Sequence, residues 1–293
     1  MITNWLDSLL HRPLLGAAVQ ATWPAGTRLI HLPSGVVRVQ DTGGRQPVLV
    51  MVPDGPCVIE HYQDLIHRVA AHFRVICFDM PGFGFSAPSP VYTHCLAAGA
   101  DVVLEVLEVL DVRRAALAFS CVNGFYALKA AEKAPDRINH LVLAQTPSLG
   151  EMRQWTQRVI PRVIRLPVLG QVLVRATQRQ LASRWYRNAL PKATDPTPFQ
   201  QISAHAFGSG GCFCLAGVVQ GVSRENEHTA LGQVQVPITV VWGSLDRTHR
   251  PTEPTSVRMH APSAKVVLFD DCAHFPNLEQ PARFADLLRA TLL

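Results

Sequence analysis

Short unbroken apolar runs alternate with stretches of helical spacing along most of the chain. Pro47–Val52, Arg74–Phe78, Ala115–Phe119, Ile138–Ala144, Ile238–Trp242 and Lys265–Phe269 each have the length and flanks of a strand buried on both faces. Between them, Tyr62–Phe73 sets Leu65, Ile66, Val69 and Ala70 on one helical face. Asp101–Leu110 and about Pro281–Leu292 are amphipathic in the same way. This alternation predicts an α/β fold, a mostly parallel sheet flanked by helices. Ahead of it, Thr27–Leu32 and Val36–Gln40 flank Pro33-Ser34-Gly35 and read as a hairpin. Asn4–Val19 carries Trp5, Leu6, Leu9, Leu10, Leu14 and Leu15, with Pro13 inside. It reads as two short amphipathic helices that cover the fold in preference to a membrane surface.

The alternation stops between Gln145 and Gln235. Helical patterns there are broken by Pro161, Pro167, Pro191, Pro196 and Pro198, and by Gly208–Gly211. Leu166–Gln180 is the clearest helix. The expected organisation is a core in two parts, residues 1–146 and 236–293, with a helical lid inserted at 147–235. Phe207, Phe213, Leu215, Val218 and Val219 would line either a pocket or ordinary packing between the inserted helices.

Composition narrows the class. The 293 residues suffice for one α/β domain with an insertion or for two modest domains. An apolar content of 48% with 17% charged residues excludes a disordered chain. The net charge of +5 is concentrated: residues 147–200 hold nine basic side chains against two acidic ones, so the remainder is slightly acidic. That basic stretch is a solvated face or a docking surface for a coenzyme A ester, an acyl carrier protein or an anionic membrane surface. Nucleic acid is not expected, since no reader motif is present. The seven cysteines show no metal spacing, Cys212-Phe-Cys214 being too tight and lacking a second pair, so reduced thiols in a cytoplasmic protein are expected. The glycine-rich Asp79–Ser86 is followed by no Lys-Ser/Thr and contains no G-x-G-x-x-G, so no phosphate cradle and no cofactor is expected.

The chemistry centres on Ser120-Cys121-Val122-Asn123-Gly124, between the Ala115–Phe119 strand and a helix former at Phe125–Ala131. A strand, a tight turn and a helix hold a nucleophile at the mouth of a sheet, with helix N–H groups facing an anion. Against the pattern G-x-S-x-G, Cys121 takes the serine position, and Phe119 and Asn123 take the glycines. Choosing Ser120 instead would put β-branched Val122 at the crowded position. Cys121 is therefore the preferred nucleophile, Ser120 the alternative, and a buried structural thiol the bland reading. Asp246 follows one late strand and His274 the next, the order in which an acid and a base complete such a site. His274 would take the thiol proton and Asp246 would fix its tautomer. The loop Pro53-Asp54-Gly55-Pro56 would supply a second oxyanion donor through Gly55 N–H. Asp54 there is either a turn residue or a participant in binding or proton transfer, because a carboxylate beside an oxyanion is repulsive.

FDMPGFGFS after a strand, AFSCVNGFYAL, VVWGSLD before Pro251, and CAHFPNLEQPARFADLL together resemble the α/β-hydrolase superfamily over about Thr27–Leu292. The tail is similar to the lid-bearing branch of esterases, carbon–carbon hydrolases and epoxide hydrolases. The resemblance implies a triad of Cys121, Asp246 and His274 with oxyanion donors at Val122 and Gly55, and Asp54, Ser120 and Asn123 as accessory positions. Three departures stand out: cysteine for serine, Phe119 and Asn123 for glycines, and Pro53-Asp54 where His-Gly is usual. A cysteine nucleophile occurs in a minority such as dienelactone hydrolases. The expected activity is hydrolysis of an ester, lactone or thioester with an apolar acyl part. The alternatives are acyl transfer from the same acyl-cysteine and a non-catalytic binding module.

Overall fold

In the computed structural model, which describes residues 2–11, 13, 16–226 and 229–293, the hairpin forms as the sequence predicts. β1 (Thr27–Leu32) pairs antiparallel with β2 (Gly35–Asp41). β3 (Val48–Val52) is apolar throughout and β4 (Arg74–Phe78) is apolar after Arg74, and both are almost wholly buried. Two short strands follow, β5 (Phe83–Gly84) and β6 (Ala87–Pro88). β7 (Ala115–Ser120), β8 (Ile138–Ala144), β9 (Cys212–Phe213), β10 (Ile238–Gly243) and β11 (Lys265–Phe269) complete the set. Among the described residues the main sheet runs β1-β2-β4-β3-β7-β8-β10-β11, with β6 on β2. From β4 to β11 every pairing is parallel. Parallel strands need both faces covered, which is why β7 and β10 bury every residue.

The helices supply that cover. They are α1 (Ile2–Leu10), α2 (Ala17–Gln20), α3 (Gln63–Val69), α4 (Leu96–Val109) and α5 (Asn123–Lys133), then, after β8, α6 (Leu149–Val159), α7 (Arg162–Arg165), α8 (Leu169–Ala189), α9 (Thr197–Gly208) and α10 (Leu215–Arg224), and finally α11 (Pro276–Glu279) and α12 (Pro281–Leu292). α4 lies on α5 at a glycine: a Cβ on Gly99 would stand 2.1 Å from the Tyr126 ring.

Three expectations are corrected in detail. α4 begins at Leu96, five residues earlier than predicted, because the Cys95 side chain caps it by accepting from Ala98 N–H. α8 starts past Pro167 and runs on to Ala189, since its buried stripe continues through Gln178, Ala182 and Tyr186. α1 does cover the fold, but with its polar side: Thr3, Asn4, Asp7 and Ser8 are buried, while Ile2, Trp5 and Leu9 face outward. Leu14 and Leu15 of the second predicted piece lie outside the described residues. No helix of the described residues is long and apolar enough to cross a membrane.

Candidate active site

Three strand ends and one early loop converge at the carboxyl edge of the sheet. At the end of β7 the chain turns through Cys121 at φ +51°, a left-handed conformation rare for any residue but glycine. The turn is pinned by Cys121 N–H to Ala144 O at 2.7 Å and by Thr146 Oγ1 to Cys121 O at 3.0 Å. Gly124 is needed at the start of α5, because a Cβ there would meet Thr146 Oγ1 at 2.2 Å. Asn123, in a position expected to be glycine, donates to Pro53 O at 3.0 Å and so ties the turn to the Asp54 loop. Phe119 is accommodated by burial, edge-on to Phe78 at 6.4 Å. The strained conformation falls on Cys121, not on Ser120, which ends β7 as an ordinary buried strand residue.

His274 sits in the loop after β11. Glu279 clamps that loop by accepting from Ala273 and Phe275 N–H, both at 2.8 Å, and His274 N–H donates to Ala189 O at 2.9 Å. His274 Nδ1 lies 2.7 Å from Asp246 Oδ2. Asp246, past the end of β10, also accepts from Gln145 Nε2 at 2.7 Å and from Thr248 N–H and Oγ1 at 2.8 Å each. Gln145 in turn accepts from Gly243 N–H at 2.9 Å, so it fixes the carboxylate to the strand. The other ring nitrogen, Nε2, lies 3.2 Å from Asp54 Oδ2, and the Cys121 sulfur has a ring nitrogen of His274 within 4.8 Å. Trp185 stands edge-on to the imidazole at 5.0 Å, and His249 stacks on it at 5.4 Å.

Burial sets the electrostatics. The Cys121 thiol is pushed up to about 11, first by burial and then by the Asp54 carboxylate; His274 and the Val122 N–H pull the other way. Asp54 is raised by burial, against its bond to His274, and Asp246 raises it further. Burial alone would lower His274, but Asp246 and then Asp54 carry it well above the ordinary imidazole value. Burial would raise Asp246, but the imidazolium holds it far below the carboxylate range. His274 thus lies between two carboxylates that share its protons.

The remaining sequence-derived positions fall beside this group. Val122 lines the cavity beside Cys121. Gly55 lines the cavity next to Asp54. Sequence reading did not find Gln145, Thr248, His249 or Trp185. Gln145 follows β8 directly, at φ +50°, and only its place at a strand end hinted at a role. Among the described residues, two groups bring metal-ligating atoms within 4.8 Å of one another: Cys121, His249 and His274, and, apart from the site, Asp7, His11 and Cys214.

In front of the thiol opens a cavity of about 560 Å³. Asp54, Cys121, Val122 and Asn123 form its floor. Met152, Trp155, Ile160, Ile164, Leu181, Phe213, Leu215, Val218 and Val219 give it apolar walls, and Arg158, Arg184 and Arg247 add positive charge. Phe207 is not among these lining residues; it packs on Phe213 at 5.6 Å instead.

The alpha/beta hydrolase family model matches residues 49–287. The chain belongs to that family. It is an enzyme of the hydrolase type, which sets aside a non-catalytic module. The chain is similar to the pimeloyl-[acyl-carrier protein] methyl ester esterase of Nitrosomonas europaea, 23% identical over 270 residues, 85% of this chain and 97% of that one. It is also similar to the zearalenone hydrolase of Bionectria ochroleuca, 33% identical over 124 residues, 41% and 47% of the two chains. Among solved structures, a hydrolase from Pseudomonas aeruginosa superposes with a TM-score of 0.72 at 21% identity, covering 92% of this chain and all of that one. Within this family, Cys121 departs from the serine that the common G-x-S-x-G turn carries.

Proposed function

We propose that the protein hydrolyses an ester, lactone or thioester with an apolar acyl part, through a covalent intermediate on Cys121. The observation that carries this reading is the strained Cys121 at the end of β7, its sulfur within 4.8 Å of an imidazole nitrogen of His274, whose Nδ1 is 2.7 Å from Asp246. With the thiol raised to about 11, a standing thiolate–imidazolium pair is disfavoured. Proton transfer therefore accompanies attack: the Cys121 S–H proton passes to His274 Nε2 as sulfur bonds the carbonyl carbon. His274 then returns that proton to the leaving alcohol or thiol. In deacylation it accepts a proton from water as the oxygen adds to the acyl carbon, and it returns that proton to the Cys121 sulfur as the C–S bond breaks and the acid leaves.

Asp54 fits this scheme in its neutral form. A carboxylate there would repel the oxyanion, whereas a protonated Asp54 presents an O–H beside it and leaves His274 Nε2 to the thiol. The working state then holds one proton between Asp54 and His274. Val122 N–H supplies a further donor. The helices between β8 and β10 act as the lid that encloses the acyl chain. Arg158, Arg184 and Arg247 at the cavity favour a substrate whose other half is acidic, such as a carrier-protein or coenzyme A ester. The name of the Nitrosomonas relative points the same way.

Turnover of a series of p-nitrophenyl esters and acyl thioesters tests the reading. Hydrolysis that rises with acyl length and is lost in Cys121→Ala and in His274→Ala supports it. Undiminished turnover in Cys121→Ala contradicts it.

A further inference from the structure

α1 is built inside out for a helix of a water-surrounded protein. Its buried side is polar: Asp7 faces Gln171 of α8 at 3.5 Å, and Thr3, Asn4 and Ser8 are buried with it. Its outward side is apolar: Ile2, Trp5 and Leu9 are 67, 54 and 46% exposed. α1 packs on α8, and the start of α8 continues the pattern. Leu166, Leu169 and Val172 are 49, 58 and 51% exposed, and Val163 and Val168 also face outward. Scattered apolar side chains on a surface are ordinary, but two adjoining helices that both turn apolar faces out form a patch.

The charge on α7 and α8 has one sign. Arg162, Arg165, Arg175 and Arg179 lie in α7 and α8, and no carboxylate pairs with any of them among the described residues. Residues 147–200 carry a net charge of +7. An apolar face with an exposed tryptophan and an arginine surround matches the interface of an anionic bilayer, with the aromatic ring at headgroup depth and the guanidinium groups on lipid phosphates. A second copy of the chain would bring like charges together. α7 also separates this face from the acyl cavity, for Ile160, Pro161 and Ile164 line the cavity while Val163 and Leu166 face outward.

We infer that the outward faces of α1, α7 and the start of α8 form a docking surface for an anionic lipid bilayer. The inference concerns binding alone and does not rest on the nature of the nucleophile. The protein would bind peripherally, with its acyl cavity one short helix from the lipid.

Co-sedimentation with phosphatidylcholine vesicles, with and without about one-third phosphatidylglycerol, tests it on the full chain. The expected result is binding at least about tenfold stronger to the anionic vesicles, weakened by salt. Trp5→Ser with Leu9→Ser should abolish it, and so should Leu166→Ser with Leu169→Ser. Arg162→Glu with Arg165→Glu should abolish the preference for anionic lipid. All six positions lie at or near the surface, and an unchanged Tm shows that each variant is folded. A blue shift of tryptophan emission on vesicles, absent in Trp5→Phe, would place the indole at the interface. No binding to anionic vesicles at low salt overturns the inference. So does binding that the substitutions leave unchanged, or a dimer that these substitutions dissolve without any vesicle binding.

Discussion

Asp54 Oδ2 and His274 Nε2 lie 3.2 Å apart, and the Cys121 sulfur is within 4.8 Å of the same imidazole. In the proposed reaction this imidazole serves two acids, Asp54 and Cys121, and which of them holds the proton decides whether the site reacts. Asp54 and His274 are both raised, so their shared proton is held to a pH above the ordinary imidazole value of 6.5. As pH rises through that raised value, the pair loses the proton, Asp54 becomes a carboxylate beside the oxyanion position, and activity falls. Asp54→Asn removes this step. Profiles of kcat/KM should show an alkaline limb in the wild type that is missing in Asp54→Asn. Superimposable profiles would assign Asp54 to the turn alone.

Asp246 holds the imidazole through Nδ1 and is held in turn by Gln145 and Thr248. In Asp246→Asn the amide presents a donor or a weaker acceptor, and the ring loses its tautomer and the charge that stabilises imidazolium. A fall in kcat of about 10³- to 10⁴-fold is expected, with KM little changed. Steady-state kinetics on the best ester checks it.

Val219 is almost fully buried in the cavity wall. Val219→Trp fills space that an acyl chain would occupy. It should raise KM about tenfold or more for long acyl esters and leave acetyl esters nearly unaffected. A uniform loss across chain lengths would mean that the acyl group lies elsewhere.

Arg38 is fully buried and bonds both Asp79 and Glu60, at 2.7 and 2.6 Å. Asp79 uses its remaining capacity to fix Ile59 and Phe85 N–H, which shapes the loop beside the site. Arg38→Met leaves two carboxylates facing each other without a cation. Urea unfolding should show a loss of about 3–5 kcal/mol.

The legible part of this chain was the part in which one physical signal dominates. β8 and β11 appear at their sequence-predicted bounds because each is a short, mostly apolar run, although β11, at the edge of the sheet, buries only Phe269. Asp246 and His274 could be found because each follows such a strand directly. α8 outran its predicted end at Gln180 because its inward stripe continues there through Ala182, Tyr186 and Ala189, two small residues and a tyrosine that make a faint apolar period. The sense of α1 was hidden as well: its amphipathic pattern was clear, but nothing local says which face turns inward. The contact of Asp54 with His274 spans 220 residues, and no local pattern encodes it. Gln145 and His249 likewise gain their places only when β8 and β10 lie side by side.

The most direct test of the central claim is intact-protein mass after incubation with activated acyl esters and thioesters, for the wild type, Cys121→Ala and Ser120→Ala. The expected result is an acyl adduct in the wild type and Ser120→Ala, absent from Cys121→Ala, and decaying in water alone. Decay only on adding an amine or alcohol would make the protein an acyltransferase working through the same cysteine. An adduct that persists in Cys121→Ala, or one lost only in Ser120→Ala, would contradict Cys121 as the nucleophile.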